Sequence, residues 1–402
     1  MTHIATIGIG ELAPARSLSD ALTWWHGFAE LLPSSKNKAI LPYLVLPNSN
    51  DDTWKWDRVP ERPLPPLGCS FLRDLEVSGS GYLFHEGRFV REFVNISDVA
   101  LRWLNQADFF DNPLTQPRAN RVVIEEPVLM VFGPGSSVYG HWLLDFMPRI
   151  VVAQKLLGSA LDDFVLPLPS DSPDWVVRMI HTFCGIGPDR FRYYSRLDDV
   201  VICRRACVPS YVHSGERGNY APHPLMREFY QRFGAPGTPR YKRRICLSRR
   251  TQEHHTLGTW RIFEAREKME EMARARGFDI VQPELLSFPH QVELFRSASC
   301  VLGQHGSGMH AAVFTDPGTI VTTVGAGTRH QFQISACFGH RAIGMNRHQV
   351  IQGRDTPPFR FTVTDDDLTS MFAMIDLVEE HTLADFGRFA LPSSAKAPNT
   401  SL

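Results

Sequence analysis

At 402 residues the chain exceeds a single ordinary core, so two domains are expected. Apolar residues make up 43% and the formal net charge is −1, which fits a globular protein and argues against a general nucleic-acid binder. Seven cysteines, an odd number without any Cys-x-x-Cys pair, argue against a disulfide framework and against a thiolate zinc site.

The first residues include Glu11 and Arg16 and show no basic start followed by an apolar core, so they do not read as a signal peptide. No uninterrupted apolar run reaches the roughly 18 residues that span a bilayer. The expected location is cytoplasmic. Trp24, Trp25 and Phe28 could touch the inner face of a membrane peripherally, although buried packing is the favoured account of these rings. Residues 40–94 read as β-rich, with a hairpin over 82–90 turning at Glu86-Gly87.

From 121 the rhythm changes to strand 122–132, helix 139–157, strand 164–168, helix 174–183, strand 200–208 and helix 224–233. Glycines and prolines at 233–239 suit a linker. A second alternation follows: strand 244–247, helix 260–276, strand 278–281, helix 291–299, a glycine corner, helix 309–314 and strand 319–324. Asp365, Asp366 and Asp367 precede a helix over 368–380, where a helix N-terminus favours acid. The expected organisation is a first domain over 1–235 (β-rich 1–120, βα 121–235) and a second over 236–350. An extension with a helix occupies 351–390, and a disordered tail 391–402. Strands alternating with helices imply crossovers and parallel sheets, hence an α/β fold of two doubly wound domains facing a cleft. Ligands bind off the carboxyl ends of such strands.

Three blocks carry candidate chemistry. In Gly303-Gln-His-Gly-Ser-Gly308 a strand ends and a helix begins, so His305, Gly306, Ser307 and Gly308 form a corner suited to a diphosphate. Any sharp βα turn needs glycine, and that plainer account stands beside the first. Ser248 and Arg249 end the first strand of the second domain, where a guanidinium could grip a diphosphate bidentately. In the helix 139–157, His141, Asp145 and Arg149 stand at i, i+4 and i+8 on one face. A histidine beside a carboxylate suits a general base. The same three could instead anchor the helix by hydrogen bonds, and Asp145 could cap a helix restarting at Pro148. His254-His255 lacks partners at metal spacing, and Walker, Gly-x-Gly-x-x-Gly and Gly-x-Ser-x-Gly motifs are absent.

These blocks, His141-Trp-Leu-Leu-Asp-Phe-Met-Pro-Arg149, Ile245-Cys-Leu-Ser-Arg249 and Gly303-Gln-His-Gly-Ser-Gly-Met309 with Phe314 and Pro317-Gly318, resemble glycosyltransferase family 61 over roughly 131–324. Its bacterial branch is associated with capsular polysaccharide. The resemblance implies a GT-B architecture of two Rossmann-like domains. It also implies an inverting mechanism with no obligatory metal or cofactor, and a nucleotide-sugar donor, UDP-sugar favoured. The acceptor would be a glycan or lipid-linked oligosaccharide. It assigns the diphosphate to Ser248, Arg249, His305, Gly306, Ser307 and Gly308. The base is His141 oriented by Asp145, or the reverse, with Tyr139, Arg149 and His310 in support. The chain departs from the family where Ala311 and Ala312 replace a usual asparagine and Thr322-Thr323 a usual glutamate. Other activities of this shape are a nucleotide-sugar epimerase and a non-catalytic nucleotide- or glycan-binding assembly subunit.

Overall fold

A computed structural model describes residues 5–7, 14–15, 17–37, 42–47, 53–90, 118–214, 220–233, 243–251, 261–325, 329–353 and 359–391. The expected linker from 234, the His254-His255 pair and the expected disordered tail from 392 lie outside the described residues. Two compact units emerge: Met1–Asn37 with Arg62–Phe229, and Lys38–Glu61 with Tyr230–Leu402.

In the first unit the expected hairpin forms from Tyr82–His85 and Arg88–Val90. Glu86 and Gly87 are both left-handed (φ 51° and 72°), the turn whose twist matches that of its strands. The long strand Leu67–Ser78 pairs antiparallel with Asp199–Pro209, from Ser78↔Val200 to Cys69↔Pro209. On its other side Asp199–Pro209 runs parallel to Asn120–Leu129. This mixed sheet corrects the expectation of a doubly wound parallel sheet in the first half. The βα alternation after 120 does give parallel neighbours, continued by Leu166–Pro169 and Phe191–Tyr194 through the bridge Val128↔Val165. The β-rich N-terminal stretch then supplies an antiparallel partner, a long-range pairing that no local pattern announces. Trp25 is buried edge-on to Phe71 (5.8 Å), whereas Trp24 is 67% exposed. Among the described residues no helix is long and apolar enough to cross a membrane.

The sheet of the second unit runs Phe278–Val281, Arg243–Leu247, Ala298–Gln304, Ile320–Val324, Arg341–Met345, Tyr43–Leu46, Lys55–Asp57. All neighbours are parallel except the last pair. Its five C-terminal strands stand in the doubly wound order 2-1-3-4-5, with the reversal between Arg243–Leu247 and Ala298–Gln304. Ile343 and Met345 join the core beneath the helices Arg266–Arg274 and Asp365–Glu379. Gly344 and Ala342 face the helix Arg329–Phe338 on the opposite side, through Phe332.

Residues 38–61 thus leave the expected 1–235 domain and complete this sheet. Trp54 pins them, its buried Nε1–H donating to Ser370 Oγ at 2.6 Å. The residues expected as a separate extension also join this unit. There Thr364 and Asp367 form a reciprocal cap on the helix Asp365–Glu379. The start of the expected helix 260–276 is instead a strand, Arg261–Phe263, parallel to Phe359–Thr362.

One core position yields a stability prediction. A Cβ on Gly344 would lie 2.1 Å from Phe332 Cζ, and Phe332 is itself stacked on Tyr43 at 3.8 Å. Gly344→Ala is expected to destabilise by about 1–3 kcal/mol through overpacking, read as a lower urea midpoint at unchanged slope.

Candidate active site

The helical run 139–157 forms as expected, but not as one α-helix. Tyr139–His141 and Met147–Leu157 are α-helical, and Trp142–Phe146 between them is a π-turn, with Met147 N–H bonding Trp142 O. Pro148 gives the reason. It brings no N–H, and its ring would strike the Leu144 carbonyl in an unbroken α-turn, so the chain widens there.

His141 and Asp145 meet on this turn. His141 Nδ1 lies 2.5 Å from Asp145 Oδ2. The other carboxylate oxygen, Oδ1, is 2.9 Å from Nε2 of His213, a residue no spacing in the sequence singled out. Asp145 is 2% exposed and the His213 side chain 0%, whereas the His141 side chain is 35% exposed. Gly135 (φ 91°) lies against the Cδ2–Nε2 edge of His141. A Cβ there would stand 2.8 Å from Cδ2, so both φ and space require glycine.

Burial by itself would raise the Asp145 carboxyl, but hydrogen bonds and charge from His141 and His213 hold it well below the usual carboxylate range. Burial by itself would lower His141, yet the Asp145 hydrogen bond and charge leave it raised above 6.5. The carboxylate is therefore ionised, and it stabilises the charged form of the accessible imidazole.

Arg149 does not join this stripe. It is wholly buried and donates to the carbonyls of Pro209 (2.8 Å), Val131 (2.7 Å) and Met130 (3.2 Å), with its guanidinium 4.5 Å from the Tyr211 ring centre. It ties together the carboxyl ends of two strands. A π-turn inserts an extra residue and so rotates the downstream helix by about 100°, which takes 149 off the face of 141. Asp145 does not cap the helix at Pro148; its oxygens are engaged by the two histidines. Tyr139 packs edge-on to Trp175 (5.6 Å), and burial pushes its phenol up.

In the second unit the corner sits at the strand-order reversal. Arg249 follows the strand Arg243–Leu247, and His305 to Gly308 follow Ala298–Gln304. The two meet: a Cβ on Gly306 would lie 2.1 Å from Arg249 Nη1. Gly303 has a packing reason too, since a Cβ would strike Met309 Sδ at 2.7 Å. Among the described residues none lies within 4 Å of where a Cβ on Gly308 would stand. The helix after the corner is 3-10, Ser307–Phe314, longer than the expected 309–314. Its leading N–H groups lack intrahelical acceptors, whereas His305 N–H is taken by Val324 O.

Arg261 was not anticipated here. Its Nη1 donates to His305 O at 3.4 Å, adding a second guanidinium to the corner. Gln304 is 4% exposed, and neither amide atom has a partner among the described residues. Ser248 is buried with its Oγ accepting from Arg250 N (3.3 Å), the role of a turn residue. His310 lies 5.3 Å from the His330 ring. Among the described residues no group of three or more His, Cys, Asp and Glu side chains is placed to hold a metal ion.

A buried carboxylate beside an accessible imidazole, and a cationic corner off a parallel sheet, are compatible with group transfer. The class is settled by comparison: residues 139–322 match the model of the family described as Glycosyltransferase 61, so this is a glycosyltransferase. The match begins on the helix bearing His141 and ends in the strand after the glycine corner, so residues 139–322 form a glycosyltransferase family 61 domain. No curated protein matches the chain. The family in general takes a nucleotide-sugar donor and a glycan acceptor.

Proposed function

We propose that the chain is an inverting, metal-independent glycosyltransferase of GT-B arrangement. It moves a sugar from a nucleotide-sugar, a UDP-sugar favoured, to a hydroxyl of a glycan or lipid-linked oligosaccharide. This serves capsule or cell-surface polysaccharide synthesis in the cytoplasm, at the inner face of the membrane. The observation that carries the chemistry is the 2.5 Å pair of His141 and Asp145 within the family-matching segment.

Of the two, His141 is the base. Asp145 is buried with both oxygens engaged and its proton affinity depressed, so it orients rather than accepts. His141 Nε2 takes the proton of the acceptor hydroxyl. That oxygen bonds to the anomeric carbon from the face opposite the donor phosphate, the bond from that carbon to the phosphate oxygen breaks, and the configuration inverts. Asp145 offsets the charge arising on the imidazole. Arg249, the His305 imidazole and the N–H groups of Gly306, Ser307 and Gly308 receive the departing nucleoside diphosphate. The Gln304 amide offers a donor and an acceptor to the nucleotide sugar.

The test is a panel of UDP-, GDP-, CMP- and TDP-sugars with purified protein. A nucleotide present at a hundredfold excess over its Kd is expected to stabilise the fold by about 2.7 kcal/mol, and its sugar to be transferred with inverted anomeric configuration by NMR. Sugar interconversion without an acceptor would indicate epimerisation, and neither binding nor turnover would remove the enzymatic reading.

A further inference from the structure

Asp145 holds two imidazoles at once, and only His141 has an assigned task. His213 lies wholly out of solvent on the two-residue strand His213–Ser214, paired antiparallel with Ala221–Pro222. Its Nδ1 stands 3.1 Å from Ser214 O and its Nε2 2.9 Å from Asp145 Oδ1. The rings of Tyr211 and Tyr220 lie 5.3 and 4.6 Å away. A residue needed here only for packing could be apolar, and would avoid the cost of taking an imidazole and a carboxylate out of water together.

We propose that His213 is a positioning residue for the base. Through Oδ1 it fixes Asp145, so that Oδ2 meets His141 Nδ1 and the Nε2 edge of His141 takes the acceptor's proton. This rests on the reading of His141 as base. With an imidazole nitrogen 2.9 Å from Oδ1 and another 2.5 Å from Oδ2, the carboxylate is flanked on both sides on the π-turn. Its charge is also shared between two rings, which limits how tightly it holds a proton on His141. Among the described residues, the other charged or titratable groups around it are Arg149, which feels Asp145, Tyr211, Cys69 and Cys207, and Tyr220 beside His213. The Arg149 guanidinium stays charged throughout.

The test compares the pH dependence of kcat and kcat/KM in the wild type, His213→Gln and His213→Asn, with H141A and melting temperatures alongside. Glutamine can bring an N–H close to where Nε2 stood, whereas asparagine stops short of Asp145. H213Q is expected to stay close to wild type. H213N is expected to lose about tenfold or more in kcat at unchanged donor KM. Its acid limb should move up by about one pH unit, because Asp145, released on one side, grips the His141 proton harder. Equal losses in both variants, with lower melting temperatures and an unmoved limb, would mark a structural histidine and overturn the proposal. So would an H213N enzyme indistinguishable from wild type. If H141A itself transfers sugar, the base assignment falls and this proposal with it. An inactive H141A beside an unaltered H213N removes only the role of His213.

Discussion

Replacing His141 by alanine is expected to lower kcat for sugar transfer by about 10²–10⁴-fold, the range lost with a general base, while nucleotide affinity stays at its wild-type level. The split follows from the proposed roles: His141 in the first unit as base, and the cationic corner of the second unit as the diphosphate site. The pH profile gives a second signature. As the proposed base His141 works only when Nε2 is unprotonated, and its proton affinity is raised above the ordinary 6.5. Activity should therefore climb with pH through a limb above 6.5. Asp145→Asn removes the charge that raises it, so the limb should move to lower pH and the plateau fall, since a less basic imidazole is a weaker proton acceptor. If Asp145 were the base, D145N would instead be inactive at every pH.

The same pair links pH to stability. The depressed Asp145 carboxyl contributes stability above its ordinary 3.8 that is lost as pH falls through its folded value. The raised His141 contributes stability below 6.5 that is lost as pH rises through its folded value. The site is firmest between these two limits.

Local pattern in the sequence already carries much of this. The helix bounds 139–157, the Glu86-Gly87 turn and the parallel strands of the second unit follow from periodicity and turn chemistry. The pairing of His141 with Asp145 follows from i, i+4 spacing. What escaped was set by distance along the chain or by local exceptions to ideal geometry. His213 reaches Asp145 from a two-residue strand with no periodicity of its own. Arg149 shared an ideal helical face with His141 until the π-turn changed the phase. Only a reading that let Pro148 shift that phase could have moved it. The strands Tyr43–Leu46 and Lys55–Asp57 join the second unit through pairing and through Trp54, which a chain-order reading of domains does not reveal. Arg261 was hidden because its segment has a helical composition but pairs as a strand.

The corner of the second unit admits a sharper experiment than deleting a charge. Arg249→Ala is expected to weaken nucleotide-sugar binding by about 1.5–3 kcal/mol, the value of hydrogen bonds to a charged group, or about 10- to 150-fold in Kd. Arg249→Lys should recover only part, because it keeps the charge and loses the planar fork. Gly306→Ala reaches the same guanidinium without touching it chemically. The new Cβ would lie 2.1 Å from Nη1 and 3.3 Å from Cζ, so the guanidinium has to swing away. The backbone does not resist, since Gly306 is extended at φ 163° and ψ 177°, a conformation alanine accepts. G306A should therefore unfold at the wild-type urea midpoint while donor affinity falls by about tenfold or more, a displacement cost of the kind misplaced binding groups incur. The double variant decides whether the loss runs through Arg249. With that side chain already truncated, the alanine at 306 meets no other described residue and should cost almost nothing further, leaving a coupling energy close to the whole effect of G306A. Equal losses from G306A in both backgrounds would mean that residue 306 meets the donor by its own backbone, and the diphosphate assignment would shift from the guanidinium to the helix N-terminus.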